Sequence, residues 1–255
     1  MLVISYGIPK SGSTLAYEVL RGVLTSAGHT QDVFYNDRLE DAEPARGAKR
    51  NFLTRIVRER IEELIAKIPP SQIVAVKTHA AFKPDLFRWL EELQQKRVLQ
   101  VIASYRDPRD ICLSLVDAGE RLRQRGQERS FARVTDLDVA VGNVGQRLVG
   151  FRRWAALKGT LRLNYEVVAF EPLKAIAAIE EVLGVKSDHE QVMRYAFEEA
   201  FTLKNKAKRH RYEDELDETQ KTALRKEFRK FIKHVMERND QAWFDEYRET
   251  MLNVT

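Results

Sequence analysis

Four short apolar runs, at residues 2–6, 73–76, 98–104 and 161–164, recur through the first two-thirds of the chain. They are aliphatic and β-branched and lack polar–apolar alternation, as strands buried on both faces must be. Helical patterns separate them. Leu53, Ile56, Val57, Ile61, Leu64, Ile65 and Ile68 form one apolar stripe, ended by Pro69-Pro70. Leu86, Phe87, Leu90 and Leu93 form another, opened by Pro84 and Asp85. Residues 111–122 and 139–157 continue the alternation, and 33–35 could add a strand. Strands alternating with helices predict an α/β fold with a central, mostly parallel sheet and helices on both faces. Beyond Asn164 the pattern is helical, at 173–183, 189–201, 219–237 and around Trp243 and Tyr247. Residues 204–217 are polar and charge-rich and read as a long loop. The 255 residues suit a single domain, 1–255, with an α/β core at 1–170 and a helical C-terminal part at 171–255.

Composition narrows the function classes. The net charge of +5 is modest and suits an anionic ligand. No base-reading motif or long basic run is present, so nucleic acid is not an expected partner. The single cysteine, Cys112, cannot form an internal disulfide and fits a reducing, cytoplasmic setting. No run of about eighteen apolar residues exists, so no transmembrane segment is expected. The first strand follows Met1 directly, which leaves no room for a signal peptide.

Three of the strands end in unusual chemistry, at the sheet edge where open α/β folds bind ligands. After the first comes Gly7-Ile8-Pro9-Lys10-Ser11-Gly12-Ser13-Thr14, and an apolar-periodic helix follows from Leu15. Strand, small-residue loop and helix start together form an anion cradle of free N–H groups and the positive helix end. The spacing nearly matches the Walker A pattern, giving a P-loop-NTPase-like reading, but Ser13 stands where that pattern has lysine. The only loop lysine, Lys10, precedes the second glycine. The second strand runs into Lys77-Thr78-His79, which places Lys77 and His79 on one face. A histidine there is a candidate general base, or else a structural hydrogen-bonding group. The third ends Ser104-Tyr105-Arg106-Asp107-Pro108-Arg109-Asp110, with Ser114 two helical turns beyond Arg106. Asp107, Pro108 and Asp110 are helix-start residues, and Arg106 is either a second anion site or one half of a surface pair.

Taken in order, these three segments resemble the sulfotransferases that use 3′-phosphoadenosine 5′-phosphosulfate. Residues 6–14 look like that family's 5′-phosphosulfate loop, 76–79 like its catalytic K-x-H segment, and 104–114 like its 3′-phosphate segment. The resemblance implies a donor of that kind, the product adenosine 3′,5′-bisphosphate, and no required metal. It implies that Lys10 meets the sulfonyl group and the leaving oxygen. Ser11, Gly12, Ser13 and Thr14 would bind the 5′-phosphate. Arg106 and Ser114 would hold the 3′-phosphate, and Tyr165 would lie near the adenine. His79 would take the acceptor's proton, and Lys77 would stabilise the transferring group. Transfer to a hydroxyl, less readily an amine, of a small-molecule, lipid or sugar acceptor follows, with a homodimer as an open alternative.

The sequence departs from the family at two places. Leu15 stands where the animal enzymes carry a tryptophan against adenine. The family's C-terminal R-K-G-x-x-G-x-W loop has its best local match at 204–212, which supplies Lys206, Lys208, Arg209 and Arg211 but no glycine. Lys206 and Arg209 are the candidate cofactor contacts there. Acceptor-lining segments are expected at 34–50, 80–87 and 121–134, with Phe34, Tyr35 and Phe52 as an aromatic wall. The rival readings are a P-loop nucleotide kinase, which should carry lysine at position 13, and a non-catalytic nucleotide-binding protein of the same fold.

Overall fold

The computed structural model describes residues 1–33, 50–128, 130–200 and 206–254. Five parallel strands form one sheet in the order β2-β3-β1-β4-β5. They are β1 Leu2–Gly7, β2 Phe52–Leu53, β3 Val74–Thr78, β4 Leu99–Tyr105 and β5 Leu161–Asn164. The central β1 pairs with β3, Leu2 opposite Val74, and with β4, Leu2 opposite Leu99. The helices are α1 Ser13–Ser26, α2 Arg58–Lys67, α3 Phe87–Gln95, α4 Pro108–Gln124, α5 Leu137–Ala155, α6 Tyr165–Phe170, α7 Pro172–Leu183, α8 His189–Arg194, α9 Arg211–Glu215, α10 Glu218–Glu227, α11 Arg229–Phe231 and α12 Gln241–Val254. Single π turns extend two of them, Tyr195–Glu199 after α8 and Ile232–Glu237 after α11. Among the described residues, no helix is long and apolar enough to cross a membrane.

Successive strand residues point to opposite faces of a sheet, and the sequence fills both faces with apolar groups. On one face Val3, Ala75, Ile102 and Leu163 meet Val19, Leu20 and Val23 of α1, Ile176 and Ile179 of α7, and Val192 of α8. On the other, Leu2, Ile4, Tyr6, Val76, Val101 and Tyr105 meet α2 to α5. Leu224, Phe228, Phe231 and Phe244 of the C-terminal helices join this second cluster. Phe151 is its hub, within 6.4 Å of the rings of Tyr105, Phe231 and Phe244. Full burial of such a side chain stabilises by roughly 1.5–3 kcal/mol.

Two local expectations give way. Leu53 belongs to a strand rather than to the helical stripe, because β2 pairs with Lys77 and Thr78 and the Leu53 carbonyl accepts from Thr78 Oγ1 at 2.8 Å. The helix therefore starts at Arg58. It stops at Lys67, one residue before the extended Ile68 that Pro69 demands. The expected loop at 204–217 contains the short helix α9. Val33 lies outside any strand. Phe34, Tyr35, most of the 34–50 segment, Arg129 and Lys204 lie outside the described residues.

Candidate active site

All the motif segments sit at the carboxyl ends of the strands, around the loop that leaves β1. That loop is shaped by two left-handed residues, Lys10 at φ 74° and Gly12 at φ 79°. Gly12 has no room for a side chain, since a Cβ there would lie 2.3 Å from the Tyr165 ring. Gly7 is equally confined, 2.3 Å from Ser104 Oγ and from Ser13 Cβ. Ser11 braces the turn: its N–H and its hydroxyl both donate to the Ile8 carbonyl, at 3.0 and 2.7 Å. Those two donors thus face into the loop itself. The first backbone bond of α1 runs from Ala16 N–H to the Gly12 carbonyl. No side chain caps the helix, so its first-turn N–H groups and dipole are left for an anion.

From β3, Lys77 is almost fully buried and its Nζ donates to Thr14 Oγ1 at 2.6 Å. His79 sits two residues on, with Nδ1 2.6 Å from the Gly7 carbonyl oxygen. A carbonyl only accepts, so Nδ1 carries the proton and the basic lone pair of a neutral ring is on Nε2. The Phe52 ring packs edge-on to His79, 5.7 Å between centroids.

From β4, Arg106 turns its guanidinium over the Tyr165 ring at 4.2 Å. It pairs with Asp110 at 2.8 Å, and Asp110 is fully buried. Asp107 caps α4 by accepting from the Arg109 N–H, and its two oxygens also take the Arg109 side chain at 2.9 and 2.6 Å. Asp110, Ser114, Asp117 and Arg121 follow at spacings of three and four, so they run as one stripe along α4, and Arg106, just before the helix, joins it through Asp110. The 208–215 segment lies across this stripe. Lys208 accepts from Arg106 through its carbonyl at 3.1 Å, and the Tyr212 N–H donates to Asp110 at 3.0 Å. Arg211 pairs with Asp117 and Glu215 at 2.9 and 2.7 Å.

Lys10 faces the same stripe. Burial holds its ammonium below the usual lysine range, and the charges of Arg121, Arg106 and Arg211 add to this, against the pull of Asp117. Two donors in this cluster are buried with no acceptor: Arg106 Nε and Arg211 Nη1. Among the described residues, Arg152 Nε, Arg153 Nε and Arg162 Nη1 elsewhere in the chain are in the same state.

The structure thus gathers Lys10, Ser13, Thr14, Lys77, His79, Arg106, Ser114 and Tyr165 at the carboxyl ends of the strands. Ser114 is buried, one turn of α4 beyond Asp110. Lys206 and Arg209 are placed differently, both about half exposed. Lys206 pairs with Glu215 at 2.8 Å, and Arg209 lies 3.8 Å from Glu166 and over the Phe170 ring. The cation turned inward from this segment is Arg211, only 1% exposed. Asp117 is a participant that motif reading passes over, and Arg211 and Arg121 lie in the 204–212 and 121–134 segments without being singled out there. For the two residues on α4, the three–four spacing from Arg106 is the signal that finds them.

The chain matches known proteins at two levels. The profile of the sulfotransferase domain covers residues 2–253. No curated protein matches it in sequence. In shape it is similar to a mouse sulfotransferase crystallised with PAP, with a TM-score of 0.55 and 16% identity over 96% of this chain and 88% of that one. That likeness is one of fold. More distant are the sulfotransferase domain of the curacin biosynthetic pathway (TM-score 0.41, 14% identity, 76% and 77% covered) and a sulfotransferase from Alicyclobacillus acidocaldarius (0.42, 13%, 73% and 81%). With the profile spanning nearly its whole length, the chain belongs to the sulfotransferase domain family.

Proposed function

We propose that this protein transfers a sulfonyl group from 3′-phosphoadenosine 5′-phosphosulfate to the hydroxyl of an acceptor, with His79 as general base. The observation that carries the reading is the gathering of the inward-turned cations Lys10, Arg106 and Arg211 beside the uncapped start of α1. A donor with phosphates at both ends of its nucleoside fits this layout. Arg106, Arg211 and Ser114 would hold one phosphate. The N–H groups of Gly12, Ser13 and Thr14 would hold the other. When bound, the donor supplies an electrophilic sulfur and an anionic leaving group.

The chain's own residues do the rest. A neutral hydroxyl is a poor nucleophile, and Nε2 of His79 is the lone pair placed to take its proton. The Gly7 carbonyl fixes the tautomer and stabilises the imidazolium that results. Lys10 supplies positive charge on the loop where the leaving oxygen gains negative charge, and such charge is worth most in the transition state. Lys77 is held by Thr14 beside the same loop. Two fixed anion sites align the donor and lower the entropic part of the barrier.

The test is calorimetry with adenosine 3′,5′-bisphosphate against ATP plus magnesium, followed by an acceptor screen with labelled donor read by mass spectrometry. Binding of the bisphosphate and a sulfonate mass gain on a hydroxylated acceptor are expected. Binding of ATP alone would overturn the reading.

A further inference from the structure

His79 stands one residue past the end of β3, and residues 79–83 lie outside any strand or helix. A side chain that must aim one ring nitrogen needs a fixed backbone beneath it. The ladder ends at Thr78, so the fixing comes from elsewhere. The indole N–H of Trp154, on α5, donates to the Ala80 carbonyl at 2.9 Å. The N–H of the same Ala80 donates to Thr78 Oγ1 at 3.0 Å. The residue that follows His79 is thus held through both of its backbone groups. Next to Trp154, the Arg153 guanidinium donates to the Phe82 carbonyl.

Packing in turn holds the indole. Trp154 is fully buried, stacked on Tyr6 with centroids 5.8 Å apart and met edge-on by Phe82 at 4.5 Å. Tyr6 directly precedes Gly7, whose carbonyl oxygen lies against His79 Nδ1. Trp154 therefore bears on the candidate base from two sides, through Ala80 after it and through the strand end that receives its ring. Gly150, one turn earlier on α5, lets the loop come close. A Cβ there would lie 3.0 Å from Ala81 Cβ and 3.2 Å from Tyr6 Oη. Gly150, Arg153 and Trp154 follow at the helical spacing that puts them on one face. Buried indole N–H groups seek an acceptor, and this one takes the carbonyl beside the histidine, 74 residues away in sequence.

We propose that Trp154 is a positioning residue for His79: its indole N–H, seated beside Gly150, holds the loop so that Nδ1 stays on the Gly7 carbonyl and the lone pair stays on Nε2. The catalytic consequence rests on the transfer reaction proposed above. The orientation of His79 is measurable without it. Removing the indole donor leaves a buried carbonyl unpaired, and Ala80 can find another partner only by turning, which carries the adjoining His79 peptide with it.

The experiment is W154F, which keeps a buried ring and deletes the donor. It is read on the imidazole of ¹⁵N-labelled protein by two-bond ¹H–¹⁵N correlation, with the His79 signals identified by their loss in H79A. Wild-type protein should show the Nδ1–H tautomer, and W154F should show a mixture of tautomers. With an acceptor in hand, kcat should fall by about 10–10²-fold in W154F, the scale of a small misplacement, while KM and the bisphosphate Kd stay within about threefold. W154F/H79A should be no slower than H79A alone, because Trp154 then has no ring to aim. F151L is the control on the same helix. Phe151 faces Tyr105, Phe231 and Phe244, so this variant should lose stability and keep the His79 tautomer. G150A covers the case in which W154F fails to fold. Its methyl presses on Ala81 and Tyr6 with Trp154 intact, alanine's higher helix propensity offsets part of the crowding, and the His79 signals should again shift. The proposal is overturned if folded W154F, or G150A in its place, keeps the wild-type tautomer. It is equally overturned if F151L changes the tautomer as much, or if W154F slows H79A further. Full turnover in H79A would count against the transfer reaction alone, and the tautomer would still decide the role of Trp154.

Discussion

His79 Nδ1 lies 2.6 Å from the carbonyl oxygen of Gly7, the last residue of β1. One hydrogen bond therefore ties the candidate base to the anion loop and sets which ring nitrogen is basic. His79→Ala should reduce sulfonyl transfer by about 10²–10⁴-fold, the range of a lost general base. Calorimetry should find adenosine 3′,5′-bisphosphate bound with nearly unchanged affinity. A variant that keeps most of its turnover would remove His79 from the reaction.

Arg106 is the cation through which β4, Tyr165 and the 208–212 segment meet. Arg106→Ala should weaken adenosine 3′,5′-bisphosphate by about 1.5–3 kcal/mol, the worth of hydrogen bonds to a charged group. Turnover at saturating donor should fall much less, so the split between KM and kcat is the measurement.

Arg211 and its neighbours offer a direct contrast. Arg211 is buried against Asp117 and Glu215, whereas Lys206 and Arg209 are half exposed. Arg211→Ala should raise the bisphosphate Kd by about tenfold or more, because it removes a desolvated charge. Lys206→Ala and Arg209→Ala should each change it by about 1 kcal/mol or less, as exposed pairs do. Equal losses in all three would return Lys206 and Arg209 to the site.

Gly7→Ala tests the loop's shape. The new methyl would meet Ser104 Oγ and Ser13 Cβ at 2.3 Å, one on each side. Neither lies at the end of a long side chain, so the loop must shift. Urea unfolding should show a loss of about 1–3 kcal/mol, the cost of overpacking a well-packed site. Donor binding should fall with it.

Acid should loosen the segment over α4. The hydrogen bond from Arg211 holds the Glu215 carboxyl at about 2, well below its ordinary 4.5, with help from Lys206 and in spite of burial. A folded-state pKa below the unfolded one means that the stabilisation is complete above about 4.5 and is lost as pH falls towards 2. Amide exchange in residues 208–215 should rise through that window, and Glu215→Gln should flatten the rise. Exchange that is insensitive to pH there would mean that the pair contributes nothing.

The strands that build the sheet centre are readable because two-sided burial makes them mostly aliphatic, with Lys77 and Gln100 as the large polar exceptions. β2 is not, since two residues carry no period. Phe52 and Leu53 became a strand only by finding Lys77 and Thr78 in space. At the strand ends, Lys10, His79 and Arg106 announce themselves by position after a strand, and Lys77 by its place near the end of one. Arg211 does not, because four cations within six residues look alike in sequence. Its burial is decided by Asp117, 94 residues earlier.

The parallel register of β1 also governs how the protein is made. Leu2 pairs with Val74 and Leu99, 72 and 97 positions later. The strand bearing the anion loop is made before both of its partners and waits for β3 while about 72 residues follow, roughly 4–14 s at ordinary synthesis rates. Long-range parallel pairing is slow in itself, because the loop must close before any contact repays it. An aliphatic segment such as Leu2-Val3-Ile4 is therefore the part of the nascent chain most in need of a chaperone, and the anion cradle is completed only after β4 has been translated.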